Sequence, residues 1–164
     1  MEKLLITDSR DIPKDFTGVA EYSNGLRQWY KEGNLHREDG PAVELADGTK
    51  IWFKEGKRHR EDGPARENPK GGKEWYKEGK YHRIDGPAVE YLYGQKEWWI
   101  DGQKLFEEID ISNKLFLGKE KGKYGLEWLK FLTENEIEEY PIIPGMNYQF
   151  SKKYTLKKLI SAEK

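Results

Sequence analysis

Three histidines, His36, His59 and His82, are the only imidazoles in the chain, and each stands three residues before an aspartate: Asp39, Asp62 and Asp85. A His-x-x-Asp pair can do chemistry as two metal ligands, or as a general base oriented by a carboxylate. It therefore admits a metal-dependent hydrolase. The spacing argues against that reading. The pairs recur every 23 residues, and if each period is two β-strands, equivalent residues lie about 10 Å apart. A metal ion collects ligands at about 2 Å, so successive units cannot share one, and a single unit offers only two protein ligands. The reading favoured by the pattern is structural. His, the following Arg37, Arg60 or Arg83, and Asp would lock a turn by hydrogen bonds, with Asp accepting backbone N–H groups.

Other chemistries find less support. The chain has no cysteine, which excludes a disulfide framework, thiolate catalysis and Cys-ligated metal centres. No Gly-rich phosphate loop, nucleophile elbow or zinc-protease helix motif is present. The 29 basic and 30 acidic residues give a formal net charge of −1, so no global field attracts nucleic acid or an anionic membrane. Aromatics interleaved with Lys and Arg leave single-stranded nucleic-acid binding as an alternative. The acidic Glu32, Glu55, Glu78, Glu44, Glu67 and Glu90 that accompany them count against it. The cluster from Lys152 to Lys158 reads as a solvated face. No cofactor is implied.

The elements that would position these residues follow from an internal repeat. Trp29, Trp52, Trp75 and Trp98 are 23 residues apart, each followed by an aromatic: Tyr30, Phe53, Tyr76 and Trp99. Three copies continue as W-[YF]-K-E-G-x-x-H-R-x-D-G-P-A-x-E, and a second glycine precedes each Trp by four residues: Gly25, Gly48, Gly71 and Gly94. Gly18 to Gly25 is in register with the second half of the unit. At the other end Leu105 stands where His is expected. The array therefore runs over residues 18–105, starting and stopping mid-unit, as an open stack requires. Residues 1–17 are a lead-in and residues 106–164 a C-terminal region without the repeat.

Within a unit, Pro41–Leu45 and Lys50–Lys54 are short β-prone runs joined by Ala46-Asp47-Gly48-Thr49, a hairpin signal. Asp-Gly-Pro marks the second turn, and Gly and Gly-Pro leave no room for a helix. Four hairpins give about eight strands, a mainly β, extended, single-layer antiparallel sheet of order 40 Å. A composition of 35% hydrophobic but 13% aromatic residues, with mean hydropathy −1.00, suits a thin sheet covered by flat rings. In the C-terminal region Gly125 to Tyr140 reads as a helix with Trp128, Leu129, Phe131, Leu132 and Ile137 on its apolar side and Pro141 ending it. Pro141 to Gly145 is a turn-rich linker, and Ser151 to Ile160 a second short helix. Leu115-Phe116-Leu117 is a strand or anchor. Together they would cap the array.

The period and the string W-Y-K-E-G-K-x-H resemble the MORN repeat. Residues 18–105 are more similar still to MORN-like W-Y-x-N-G-K-x-H-R-E-D-G-P-A repeats of bacterial, bacteriophage and giant-virus proteins, some of them of the YwqK antitoxin type. The sequence departs from the standard MORN motif in having Arg-Glu-Asp-Gly-Pro in place of Gly-x-Gly. The resemblance implies an extended sheet of hairpins that binds protein or lipid, without shared catalysis. The expected function is a non-enzymatic protein-binding module, neutralising a larger enzyme by occlusion as an antitoxin or a phage inhibitor of a host defence enzyme. The expected binding face comprises Trp29, Tyr30, Arg37, Trp52, Phe53, Arg60, Trp75, Tyr76, Arg83, Trp98 and Trp99. Successive residues of a strand point to opposite faces, so at least one aromatic set is expected to meet solvent or the tail. Open sheet edges or the cap would also permit a homodimer. With no apolar run able to span a bilayer and no signal-peptide core, a cytoplasmic location is expected.

Overall fold

The computed structural model describes residues 2–6, 12–105, 108–109, 115–133, 137–146 and 149–150. The chain divides into two compact units, one of residues 1–83 and 88–103, the other of residues 84–87 and 104–164. The first holds the repeats. Its sheet begins with Glu2–Ile6, which lies parallel to Gly18–Tyr22. It then runs antiparallel through Arg27–Lys31, Val43–Glu44, Lys50–Ile51, Arg66–Glu67, Lys73–Glu74, Val89–Glu90 and Lys96–Ile100. From Gly18 onward these include the eight strands of four hairpins that the repeat predicts, Asn34–Leu35 joins the same sheet beside Arg27–Lys31, and no described segment of the array is helical.

The hairpin turn at Asp47-Gly48 is closed by a Gly48 N–H bond to the Leu45 carbonyl (3.0 Å) and a Leu45 N–H bond to the Thr49 carbonyl (2.9 Å). Gly48 has φ of 83°, the left-handed conformation that a three-residue hairpin loop with a bulge places on glycine. The same pair of bonds recurs at Tyr22/Leu26, Asn68/Gly72 and Tyr91/Gln95.

The second turn of each unit differs from the expectation. It lies at Glu-Gly of the K-E-G triplet, not at Asp-Gly-Pro. Glu32, Glu55 and Glu78 have φ of 51°, 51° and 50°, each followed by a positive-φ glycine. Two such residues in succession make the tight turn whose twist matches a β-ribbon. The run Lys50–Lys54 is accordingly broken at Trp52. Lys50–Ile51 stays in the main sheet, while Phe53–Lys54 turns back on Lys57–Arg58 as a separate hairpin. Tyr76–Lys77 and Lys80–Tyr81 do the same one unit later. The Asp-Gly-Pro segment is instead an extended bend leading to the next strand.

The array has no deep core. Ala20, Ala42, Ala65 and Ala88, the last three from each Gly-Pro-Ala, are 0% exposed. Val43, Val89 and Ile51 are buried beside them. On one face, directly opposed residues form an alternating row across all eight strands: Glu21, Arg27, Glu44, Lys50, Glu67, Lys73, Glu90 and Lys96. Every cross-strand neighbour has the opposite sign, the favourable arrangement for a sheet surface.

In the second unit, Leu115–Lys121, Glu127–Leu132 and Ile137–Pro141 form a three-stranded antiparallel sheet, and Glu108–Ile109 pairs in parallel with Gln149–Phe150. The helix expected over Gly125 to Tyr140 is therefore corrected to two strands, and the described part of this region shows no α-helical cap. The apolar residues at 128, 129, 131 and 132 fit both periods. What selects the strand is the pairing available. Leu129 (0% exposed) and Phe131 (1%) face inward. Lys130 between them reaches Glu139 (3.1 Å) on one neighbouring strand and Glu120 on the other. Pro141 ends the last strand, a position sheets tolerate. Leu115–Leu117 lies in a strand, and the helix expected over Ser151 to Ile160 falls outside the described residues.

Candidate binding face

Each complete unit builds the same assembly around its arginine. The Arg37 guanidinium carbon lies 4.2 Å from the Trp29 ring centroid, Arg60 4.0 Å from Trp52, and Arg83 3.9 Å from Trp75. The Arg37 Nε–H donates to Asp39 Oδ1 (2.7 Å) and its terminal N–H to the Pro41 carbonyl (3.3 Å). Arg60 repeats both bonds, to Asp62 (2.9 Å) and Pro64 (3.3 Å), and adds one to Glu67 (2.9 Å). Arg83 donates to Glu90 (3.3 Å). The arginine bond, followed by its charge, holds the carboxyls of Asp39 and Asp62 below the ordinary aspartate value although both are exposed. A Cβ on Gly40 or Gly63 would meet the guanidinium carbon at 3.1 Å. This contact is why glycine precedes proline in the motif. Asp85 is exposed in residues 84–87, the segment assigned to the second unit.

The histidines do different work. His36 Nδ1 accepts the backbone N–H of Glu55, His59 Nδ1 that of Glu78, and His82 Nδ1 that of Asp101, all at 3.2 Å. The bonded partner is the Glu-Gly turn, or its Asp-Gly equivalent, of the following hairpin. Arginine and aspartate thus hold the Asp-Gly-Pro bend, while histidine joins one hairpin to the next. Beside these bonds, Gly56, Gly79 and Gly102 donate their N–H groups to the carbonyls of Leu35, Arg58 and Tyr81 (2.9 Å each). At the first hairpin Thr17 Oγ1 replaces the imidazole, accepting the Glu32 N–H at 2.8 Å. Acceptance at Nδ1 puts the imidazole proton on Nε2, and on His36 and His59 that atom is buried without a hydrogen-bond partner. Glu38 and Glu61 carboxylates stand 3.5 and 3.6 Å from it. Among the described residues no three His, Asp or Glu side chains converge as a metal site requires.

Neither aromatic set is fully exposed. The Trp rings of the first three units are covered by arginine. Trp98, whose unit lacks the His-Arg continuation, is itself buried. On the opposite face Tyr30 packs at 5.9 Å from Phe16, Tyr76 stacks on Tyr81 at 4.3 Å, and Tyr81 lies 5.3 Å from Trp99. The Tyr76 and Tyr81 hydroxyls both donate to Glu74 Oε2 (2.9 and 3.2 Å). Burial pushes the Tyr30 phenol up to about 12 and raises those of Tyr76 and Tyr81. Phe53 remains half-buried.

What the array offers a ligand is an open groove of about 690 Å³ between the first two Arg-Glu-Asp bends. Arg37, Trp52, Phe53, Arg60, Glu38 and Glu61 contribute to its lining. Trp75, Arg83 and Trp99 belong to later units and lie outside it. A further exposed feature was missed from the sequence. The fourth hairpin tip carries Leu92 (47% exposed) and Tyr93 (86%), where the other tips have Ser23-Asn24, Ala46-Asp47 and Pro69-Lys70. Comparing aligned tips would have revealed it. No helix of the described residues is long and apolar enough to cross a membrane. In comparisons with known proteins, no family model, no curated protein and no solved structure matches the chain.

Proposed function

We propose that the repeat array is a non-catalytic protein-binding module that neutralises a larger enzyme by covering part of its surface, as an antitoxin or a phage inhibitor of a host defence enzyme does. The observation that carries this reading is the groove between the first two bends. There, arginines already fixed on tryptophan rings are presented beside a half-buried phenylalanine and a rim of Glu38 and Glu61, both more than 80% exposed at the side chain. Tryptophan and arginine dominate the binding energy of protein interfaces, and side chains held rigid before contact lose little entropy on binding. The histidines contribute to the scaffold, since their Nδ1 lone pairs are used on backbone N–H groups. The MORN-like resemblance supports the same class of function.

The test is affinity capture from the native host with the wild-type chain and with Glu38→Arg/Glu61→Arg, whose substitutions fall on exposed side chains. The expected result is one stoichiometric partner whose enzymatic activity falls on titration with wild type, and which the double variant retains at least tenfold less well. Equal retention by the double variant, or a partner whose activity is unchanged, would overturn the proposal.

A further inference from the structure

Three junctions of the main sheet show what each unit receives from the next. Arg27 stands opposite Glu44 of the following strand, Lys50 opposite Glu67 and Lys73 opposite Glu90. Two residues beyond each glutamate, a small or apolar side chain covers the glycine of the previous hairpin tip. A Cβ built on Gly25 would stand 3.2 Å from Ala46 Cβ, on Gly48 2.9 Å from Pro69 Cγ, and on Gly71 3.8 Å from Leu92 Cδ1. Each following strand thus supplies a glutamate-x-apolar segment: Glu44-Leu45-Ala46, Glu67-Asn68-Pro69 and Glu90-Tyr91-Leu92.

The fourth junction is unfilled among the described residues. Lys96–Ile100 has Val89–Glu90 on one side. On the other it has only Gln103–Leu105, which returns from the Asp101-Gly102 turn along the far half of the strand. Arg27–Lys31, by contrast, carries a short return strand, Asn34–Leu35, at its far end and Val43–Glu44 at its near end. Lys96 therefore has a directly opposed acidic neighbour in Glu90 alone, and a Cβ built on Gly94 would meet no described atom within 4 Å. Exposure agrees. Thr49 is 0% exposed and accepts a bond from the Asn68 amide of the following strand (3.3 Å), whereas its equivalent Gln95 is exposed, as are Gly94 and Lys96. The Gln95 carbonyl accepts the Tyr91 N–H from the inner side (2.9 Å). Successive residues of an antiparallel strand bond to opposite sides, so the backbone groups of Lys96 are directed to the outer edge.

We infer that this edge, from Gly94 to Lys96, is a docking site for an extended acidic-x-apolar segment of a protein partner, added to the array as a further strand. An open edge is a template for an incoming chain; main-chain bonds give affinity and alternate side chains give specificity. The three filled junctions and the charge of Lys96 name the occupant. Its acidic side chain lies against Lys96, and its apolar one covers Gly94 next to Leu92 and Tyr93, which are 47% and 86% exposed. A second copy of the chain has no such strand to offer among the described residues. Glu44, Glu67 and Glu90 already have a cationic residue opposite them on both sides. Gly18–Tyr22, which carries Glu21, is covered at its outer edge by Glu2–Ile6. The site uses none of the groove residues, so it goes beyond the reading above and stands or fails apart from it.

The probe is a synthetic peptide with the sequence of residues 86–92, Gly-Pro-Ala-Val-Glu-Tyr-Leu, the strand that fills the preceding junction. A second peptide carries Glu90→Lys. Titration of each into the full chain is followed by NMR. Wild type is expected to bind the first peptide, and to bind the second about fivefold more weakly, because opposite charges across a strand pair attract and like charges repel. Lys96→Glu, a change at an exposed residue, should reverse that preference. The Lys96 backbone amide should exchange quickly in the free protein and slowly once the first peptide is bound. Glu38→Arg/Glu61→Arg should bind the first peptide as wild type does. No binding by wild type or equal affinity for the two peptides would overturn the inference. So would a Lys96 amide already protected in the free protein, which would show that the chain fills this edge itself. Weaker binding by Glu38→Arg/Glu61→Arg would place the peptide in the groove and overturn it as well.

Discussion

His59 Nδ1 accepts the backbone N–H of Glu78, a residue 19 positions later and in the next hairpin. With its equivalents at His36 and His82, this bond makes each imidazole a joint between units. Replacing His59 by alanine leaves the Glu78 N–H without its acceptor and opens space at a side chain only 8% exposed. The expected cost is about 1–3 kcal/mol. His59→Asn can set an amide oxygen where Nδ1 was and should lose markedly less. Thermal melting gives the stability, and amide hydrogen exchange at Glu78 shows whether the joint itself has opened. Equal losses in the two variants would assign the effect to packing alone.

Gly63 faces the Arg60 guanidinium, so Gly63→Ala must displace it by a few tenths of an ångström from the position in which it stacks on Trp52. The stacking is worth about 0.5–1 kcal/mol, and a loss of that order with a change in tryptophan fluorescence is expected. Gly72→Ala is the control. Its added methyl would meet nothing closer than 3.7 Å, and stability should stay within ~0.5 kcal/mol of wild type.

The Glu-Gly turn offers a change in the opposite direction. Glu55 occupies a left-handed conformation that asparagine adopts more readily, and Asn-Gly is the preferred pair for such a turn. Glu55→Asn should stabilise the array by about 0.5 kcal/mol, since its bond to His36 comes from the backbone N–H and survives the substitution. Glu78→Asn should gain more, because the Glu78 carboxylate stands 2.9 Å from His59 Nδ1, and two acceptors at that distance repel. Chemical denaturation of the two variants side by side would detect the difference.

These turns also mark where the sequence was and was not legible. The 23-residue period and the hairpins at Asn24-Gly25 and Asp47-Gly48 follow from patterns that depend on local chemistry alone, whereas the additional short strands of each unit do not. The Glu-Gly turn was hidden because glutamate seldom takes positive φ. Its only signal was the glycine repeated at 33, 56 and 79, and Asp-Gly-Pro is by habit the stronger turn string. The joint made by histidine was hidden for a different reason. The sequence places His36 beside Arg37 and Asp39, and only the lateral stacking of hairpins brings it to Glu55. In the second unit, Trp128 to Leu132 satisfied helix and strand periods equally. The deciding factor, Glu120 and Glu139 on the two flanking strands, is a tertiary one.

Burial of the tyrosine face gives an alkaline limit to stability. The phenol of Tyr30 is pushed up to about 12, chiefly by burial and then by Tyr22, and those of Tyr76 and Tyr81 are raised mainly by burial. The folded state therefore holds these protons more tightly than the unfolded chain does, whose tyrosines titrate near the ordinary value of about 10. The contribution to stability is complete below pH ~10 and is lost as pH rises toward and through 12. Absorbance at 295 nm should resolve an ordinary class of the ten tyrosines and a late class that ionises together with the loss of β-sheet circular dichroism. Tyr30→Phe should shrink the late class. A single titration near pH 10 without unfolding would contradict this.

The acid side has the opposite sign. Asp39 and Asp62 are lowered by their arginines, and Asp47 by the Thr49 backbone N–H, which donates to its Oδ1 at 2.8 Å. A carboxyl with a lowered folded value binds protons less readily in the folded state than in the unfolded chain. Its contribution is present above the ordinary aspartate value of about 3.9 and disappears as pH falls below it. The array should thus keep its melting temperature down to about pH 4 and lose it below. Asp62→Asn should flatten that decline by removing one of these groups, at the expense of lower stability at pH 7, where the ionised carboxylate accepts the Arg60 Nε–H. Each carboxylate is solvent-exposed and screened, so salt should reduce both effects together. Melting curves from pH 2 to pH 7 at two ionic strengths, for wild type and Asp62→Asn, test the assignment. Parallel curves for the two proteins would show that the Asp62–Arg60 pair does not set the acid limit.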